Sequence, residues 1–66
     1  MKTSEVIEFY GSQSAVAEAL GIKQPSVANW DEFPPHYRQI QIQAISGGKL
    51  RAEPEAIDKL LGVKPA

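Results

Sequence analysis

The chain has no cysteine, and only one histidine among its 66 residues. Without thiols there is no disulfide, no thiolate zinc site and no thiol nucleophile, so the fold must rest on its apolar core, as suits a reducing cytoplasm. The single histidine, His36, has no second histidine or paired carboxylate around it to complete a metal site and reads as a surface residue. No apolar run approaches the roughly 18–20 residues of a membrane span, and the first residues lack the charged-then-apolar layout of a signal peptide. A soluble cytoplasmic protein without membrane contact is therefore expected. There is also no glycine loop to cradle phosphate and no nucleophile with an obvious base, and a domain this small has no pocket to expect. These absences argue against an enzyme, a cofactor or a small-molecule substrate, and leave an enzyme as a remote third option.

No sign of charge dominates either. Seven Lys and Arg face eight Asp and Glu, for a formal net charge of −1. That total argues against a partner as anionic as DNA, because phosphate binding depends on cations displacing counterions. The distribution points the other way. Between His36 and Ala52 stand Arg38, Lys49 and Arg51 without a single acid, and Glu53, Glu55 and Asp58 follow behind them. Folded onto the same side as Lys23, these cations would give a positive face despite the acidic sum.

At this length one domain is expected, here residues 1–62 with a frayed tail at 63–66, and its stability should be marginal. Thr3 is placed to cap a first helix through Val6, Ile7, Phe9 and Tyr10, which Gly11 closes. Ser12 caps a second, whose Val16, Ala17, Ala19 and Leu20 keep helical spacing up to Gly21. Pro25 suits the first turn of a third helix running to about Glu32, and Phe33-Pro34-Pro35 then breaks the chain. Residues 36–46 are ambiguous: Tyr37, Ile40 and Ala44 recur at helical spacing, yet Ile40-Gln-Ile42-Gln-Ala44 alternates as a strand does. Three turns of length, the helix preference of glutamine and the Gly47-Gly48 stop favour helix. Pro54 opens a last helix with Ala56, Ile57, Leu60 and Leu61 on one face and Gly62 as its stop. The expected class is all-α, a compact bundle of five short helices with a central helix-turn-helix; the alternative is α+β with a C-terminal β-hairpin at about 40–53.

A helix-turn-helix crosses two helices at a steep angle through a short turn, which fixes residue types at set intervals. Counting from Gln13, Val16 stands fourth, Ala17 fifth, Leu20 eighth, Gly21 ninth, Ile22 tenth, Val27 fifteenth and Trp30 eighteenth. Small, turn-forming and apolar residues fall where close approach, positive φ and packing demand them. If Val27 and Trp30 face inward, Lys23, Gln24, Ser26 and Asn29 are left outside. These are base-reading types, since Gln and Asn pair with adenine and Lys donates to guanine. Pro25 is either a contact for a thymine methyl or, preferably, a helix initiator. Phosphate contacts are expected from Ser12, Gln13 and Ser14 at the start of the second helix and from Tyr37 and Arg38 at the start of the fourth. Lys49 and Arg51 are further candidates from the following loop. Phe9, Tyr10 and Trp30 are read as core rather than as a stacking platform for single strands.

The run from Gly11 to Trp30 resembles the Cro repressors of lambda-like phages and the related YdaS-type antitoxin-like regulators. Pro34-Pro35 and the stretch from Ile40 to Gly48 look like the fourth helix and glycine stop of the family's all-helical branch, so the likeness spans roughly residues 3–54. It implies a non-enzymatic transcriptional repressor, encoded by a prophage or working in a bacterial host cell, that binds pseudo-palindromic operators on double-stranded DNA as a weak homodimer. By motif position Gln24, Ser26, Ala28 and Asn29 correspond to base-facing sites, and Ser12 to Ser14 and Arg38 to backbone-contact sites. Pro25 departs from the small polar residue or alanine of many members. The family has two C-terminal folds: a hairpin implies a dimer ribbon, whereas a helix leaves Trp30, Phe33 and Ile42 as the dimer patch. The competing reading is a helical protein-interaction or antitoxin-like module using the Trp30–Phe33 surface.

Overall fold

A computed structural model describes residues 1–61, which form five α-helices and no strand. These are α1 (Thr3–Tyr10), α2 (Gln13–Leu20), α3 (Gln24–Ala28), α4 (His36–Ile45) and α5 (Pro54–Leu61). The chain divides into two compact units, Met1–Pro34 and Pro35–Ala66. The expected stop at Gly62 and the tail at 63–66 lie outside the described residues. No helix among those described is long and apolar enough to cross a membrane.

In the first unit, α2 packs against both α1 and α3. Val6 and Val16 are wholly buried, and Ala17, Leu20 and Val27 nearly so. Burial of each larger side chain contributes about 1.5–3 kcal/mol. Ser12 caps α2 as its sequence predicts, its Oγ accepting from the Ala15 amide at 3.1 Å. Thr3 does not cap α1, however. Lys2 stands at that position, and the Glu5 carboxylate accepts from the Lys2 amide at 2.7 Å. Thr3 is occupied elsewhere: its amide donates to the Glu32 carbonyl at 2.8 Å and its hydroxyl to the Asp31 carbonyl at 2.7 Å. This link also explains why α3 ends at Ala28 and not at about Glu32. Asn29 is the C-cap, its amide still donating to the Pro25 carbonyl at 3.1 Å, and the carbonyls of Asp31 and Glu32 are tied to the start of α1. Pro34 further biases Phe33 away from helix.

The second unit resolves the ambiguous segment as helix. Gln39, Ile42 and Ser46 are buried together, and their spacing of three and four residues matches one face of a helix rather than one face of a strand. Gly47, at φ +67°, ends α4 in the left-handed conformation that lets its amide reach the Ala44 carbonyl at 3.2 Å and that of Gly48 reach Gln43 at 2.9 Å. Residues 50–53, the other arm of the rejected hairpin, run past α4 without forming a ladder. Their backbone is held instead by side chains: the Leu50 amide donates to Ser46 Oγ at 3.1 Å, the Ala52 amide to Gln43 Oε1 at 2.8 Å and the Glu53 amide to Gln39 Oε1 at 2.9 Å. Ala52 and Ala56 complete the buried set, and α5 packs on α4.

Gln39→Leu keeps the volume but removes the acceptor for the Glu53 amide. A loss of about 1–3 kcal/mol in urea-induced unfolding is expected, because a part-buried donor is left without its partner. Unchanged stability would show the latch to be dispensable.

Candidate nucleic-acid interface

The corner between α2 and α3 is built on Gly21. At φ +69° and ψ 31° it adopts the left-handed turn that a side-chain-bearing residue enters only with strain. Its amide bonds the Glu18 carbonyl at 3.2 Å and the Ile22 amide bonds that of Ala17 at 2.9 Å, a Schellman closure. The chain then extends through Lys23 and re-enters helix at Gln24, with Pro25 in the first turn where its missing amide costs nothing. The helix-initiating role of Pro25 is therefore real.

Helix α3 is short, and one side chain anchors it. Val27 is 1% exposed, whereas Lys23, Gln24, Pro25, Ser26, Ala28 and Asn29 are all exposed. Trp30 is half-buried, its amide bonded to the Val27 carbonyl at 3.1 Å. None of the side chains of Lys23, Gln24, Ser26 and Asn29 makes a hydrogen bond or ion pair among the described residues, so their donors and acceptors face solvent uncommitted. At the start of α2, Ser12 and Ser14 are exposed and Gln13 half-buried. The amides of Gln13 and Ser14 belong to the first turn of that helix and have no intrahelical acceptor.

The remaining expected contacts belong to the second unit. Tyr37 is 56% exposed, and the Arg38 guanidinium lies 4.9 Å from its ring centroid while donating through Nη1 to Gln41 Oε1 at 2.7 Å. Lys49 and Arg51 are exposed on the segment after the glycine pair. The charge is divided between the units. Residues 1–34 carry Lys2 and Lys23 against Glu5, Glu8, Glu18, Asp31 and Glu32, whereas residues 35–66 carry five cations against Glu53, Glu55 and Asp58. Lys2 is also paired with Glu32 at 3.7 Å, which leaves Lys23 as the uncommitted cation beside α3.

Two expectations need correction. Ile42, expected in a surface patch for dimerisation, is fully buried in the second unit and offers no surface, because it shares the inward face of α4 with Gln39 and Ser46. Phe33, at 39% exposure, and half-buried Trp30 retain accessible area. Phe9, expected in the core, is 44% exposed and meets Tyr10 edge-on at 5.0 Å. Phe9 lies in the last turn of the eight-residue α1, whose buried residue is Val6. The structural roles of Gln39, Gln43 and Ser46 were missed because polar residues on a helix ordinarily face water. The usable signal was their spacing on one face opposite a segment with no strand partner.

Two helices joined through a left-handed glycine turn, with apolar residues inward and a polar outer face on the second, define a helix-turn-helix protein. A family model of the DNA-binding transcriptional regulator Cro matches residues 2–65. The chain belongs to that family of DNA-binding transcriptional regulators. It is similar to the regulatory protein cro of Salmonella phage P22, with 34% identity over 56 residues, 85% of this chain and 92% of that protein. It is also similar to the repressor protein of division inhibition gene dicB of Escherichia coli (strain K12), 30% identical over all of this chain and 88% of that protein. No solved structure matches it.

Proposed function

We propose that the chain is a non-enzymatic repressor that binds pseudo-palindromic operators as a weak homodimer, laying α3 of each protomer in the major groove of a half-site. The observation that carries this reading is the division of α3 into one buried residue, Val27, and an exposed, uncommitted polar set around it. Gln24 and Asn29 present the paired donor and acceptor that match adenine, and Lys23 donates to guanine. Ser26 supplies a smaller polar contact, and Pro25 and Ala28 are apolar surfaces for a thymine methyl. Ser12, Gln13 and Ser14 bind phosphate from the start of α2, and Tyr37, Arg38, Lys49 and Arg51 do so from the second unit. Trp30 and Phe33 form the dimer patch. Two half-sites are needed because so short a helix reaches few bases, and linking two readers multiplies their specificity.

Selection of bound sequences from random duplex DNA tests the reading, with a symmetric consensus as the expected result and no enrichment as the outcome that sinks it. On the selected operator, Gln24→Ala and Asn29→Ala should each reduce discrimination at one base position by about 1–3 kcal/mol. Arg38→Ala should weaken all duplexes alike and lower the salt slope of the dimer by about two, one for each protomer. Equal losses on every sequence for all three variants would refute the division of roles.

A further inference from the structure

The Arg38 side chain is held on two sides by neighbours whose own positions are set by helix α4. Gln41 lies three residues on, one turn along the same face, and its Oε1 accepts from Nη1 at 2.7 Å. The Tyr37 ring lies 4.9 Å from the guanidinium carbon, within the range of a cation–π contact. An arginine tethered through Nη1 and laid on an aromatic ring has the plane of its guanidinium fixed, so its remaining N–H donors point in set directions. That arrangement suits the fork-like recognition of a phosphate. The side-chain nitrogen Nε2 of Gln41 makes no hydrogen bond among the described residues, so it adds a donor beside the guanidinium.

We infer that Gln41 is a positioning residue for DNA-backbone binding: it fixes the Arg38 guanidinium against Tyr37 and so presents a preorganised clamp for one phosphate of the operator. The inference rests on the proposed phosphate contact of Arg38. Its physical basis is that an immobilised long side chain loses little further freedom when it binds. Gln41 is neutral, so it orients the cation without cancelling its charge. A glutamate at the same place would hold the guanidinium equally well and neutralise it.

The test is a double-mutant cycle in operator binding with the whole chain, read together with the salt dependence. Gln41→Leu should weaken binding by about 2- to 10-fold on specific and random duplex alike, while leaving base preference intact. In the Arg38→Ala background the same substitution should have no further effect, which a general structural role for Gln41 would not produce. Gln41→Glu should lower the salt slope of the dimer by about two, as Arg38→Ala does, because the phosphate at each half-site then meets a neutralised pair. Thermal unfolding of each variant, unchanged within a few degrees, separates binding from folding. Equal losses from Gln41→Leu in both backgrounds would overturn the inference while leaving the phosphate contact of Arg38 standing. Loss of neither affinity nor slope in Arg38→Ala itself would instead remove the contact on which it rests.

Discussion

Ile42→Ala is expected to reduce the free energy of unfolding by about 2–5 kcal/mol, the range for removing a fully buried aliphatic side chain together with the cavity left behind. The side chain is 0% exposed in the second unit. A core in a chain of 66 residues seldom supplies more than about 3–5 kcal/mol, so the variant should be largely unfolded at room temperature or very close to its midpoint. Urea titration followed by far-ultraviolet circular dichroism measures this directly. The same substitution separates the two roles considered for this residue. If Ile42 formed a dimer surface, self-association would fall and monomer stability would stay; the structure requires the reverse. A variant with native stability and weakened association would contradict its burial.

The second large effect is the response of operator binding to salt. Lys23, Arg38, Lys49 and Arg51 are the proposed phosphate- and base-facing cations, and a dimer presents two sets. With roughly six to eight phosphates neutralised, affinity should fall by about 10³- to 10⁴-fold between 50 and 200 mM salt. This sequence-independent attraction should hold random duplex as well at low salt, and the base contacts of α3 should set the difference between operator and random sequence. Fluorescence anisotropy across that salt range provides the slope. A change of less than tenfold would point away from phosphate contact and toward the apolar Trp30–Phe33 surface as the main binding site, since apolar contact responds little to ionic strength.

Much of the candidate site could be read from the sequence because a helix-turn-helix is a local motif. Ala17, Gly21 and Val27 lie within eleven positions, and close approach, positive φ and inward packing each select a residue type there. Once Val27 faces inward, helical geometry turns Ser26 and Asn29 outward, and Gln24 is exposed as the first residue of α3. The caps at Ser12 and Gly21 and the proline in the first turn of α3 are equally local, and the structure bears them out.

What the residues alone could not decide involves partners distant in the chain. Thr3 has the right side chain for a helix cap, but its hydrogen bonds to residues 31 and 32 form only when the ends of the first unit meet, and they end α3 early. Tyr37, Ile40 and Ala44 recur at helical spacing while Ile40-Gln-Ile42-Gln-Ala44 alternates as a strand does, so period alone leaves both open; length, glutamine and the glycine stop favour the helix that forms. The path of residues 50–53 was set by Gln39, Gln43 and Ser46, whose side chains satisfy their backbone. Sequence determined the helix-turn-helix and its outward polar residues, because a few adjacent backbone geometries dictate them. Tertiary structure decided how residues 50–53 are held and which of Phe9 and Ile42 is buried, because those outcomes depend on contacts that exist only after the chain has folded.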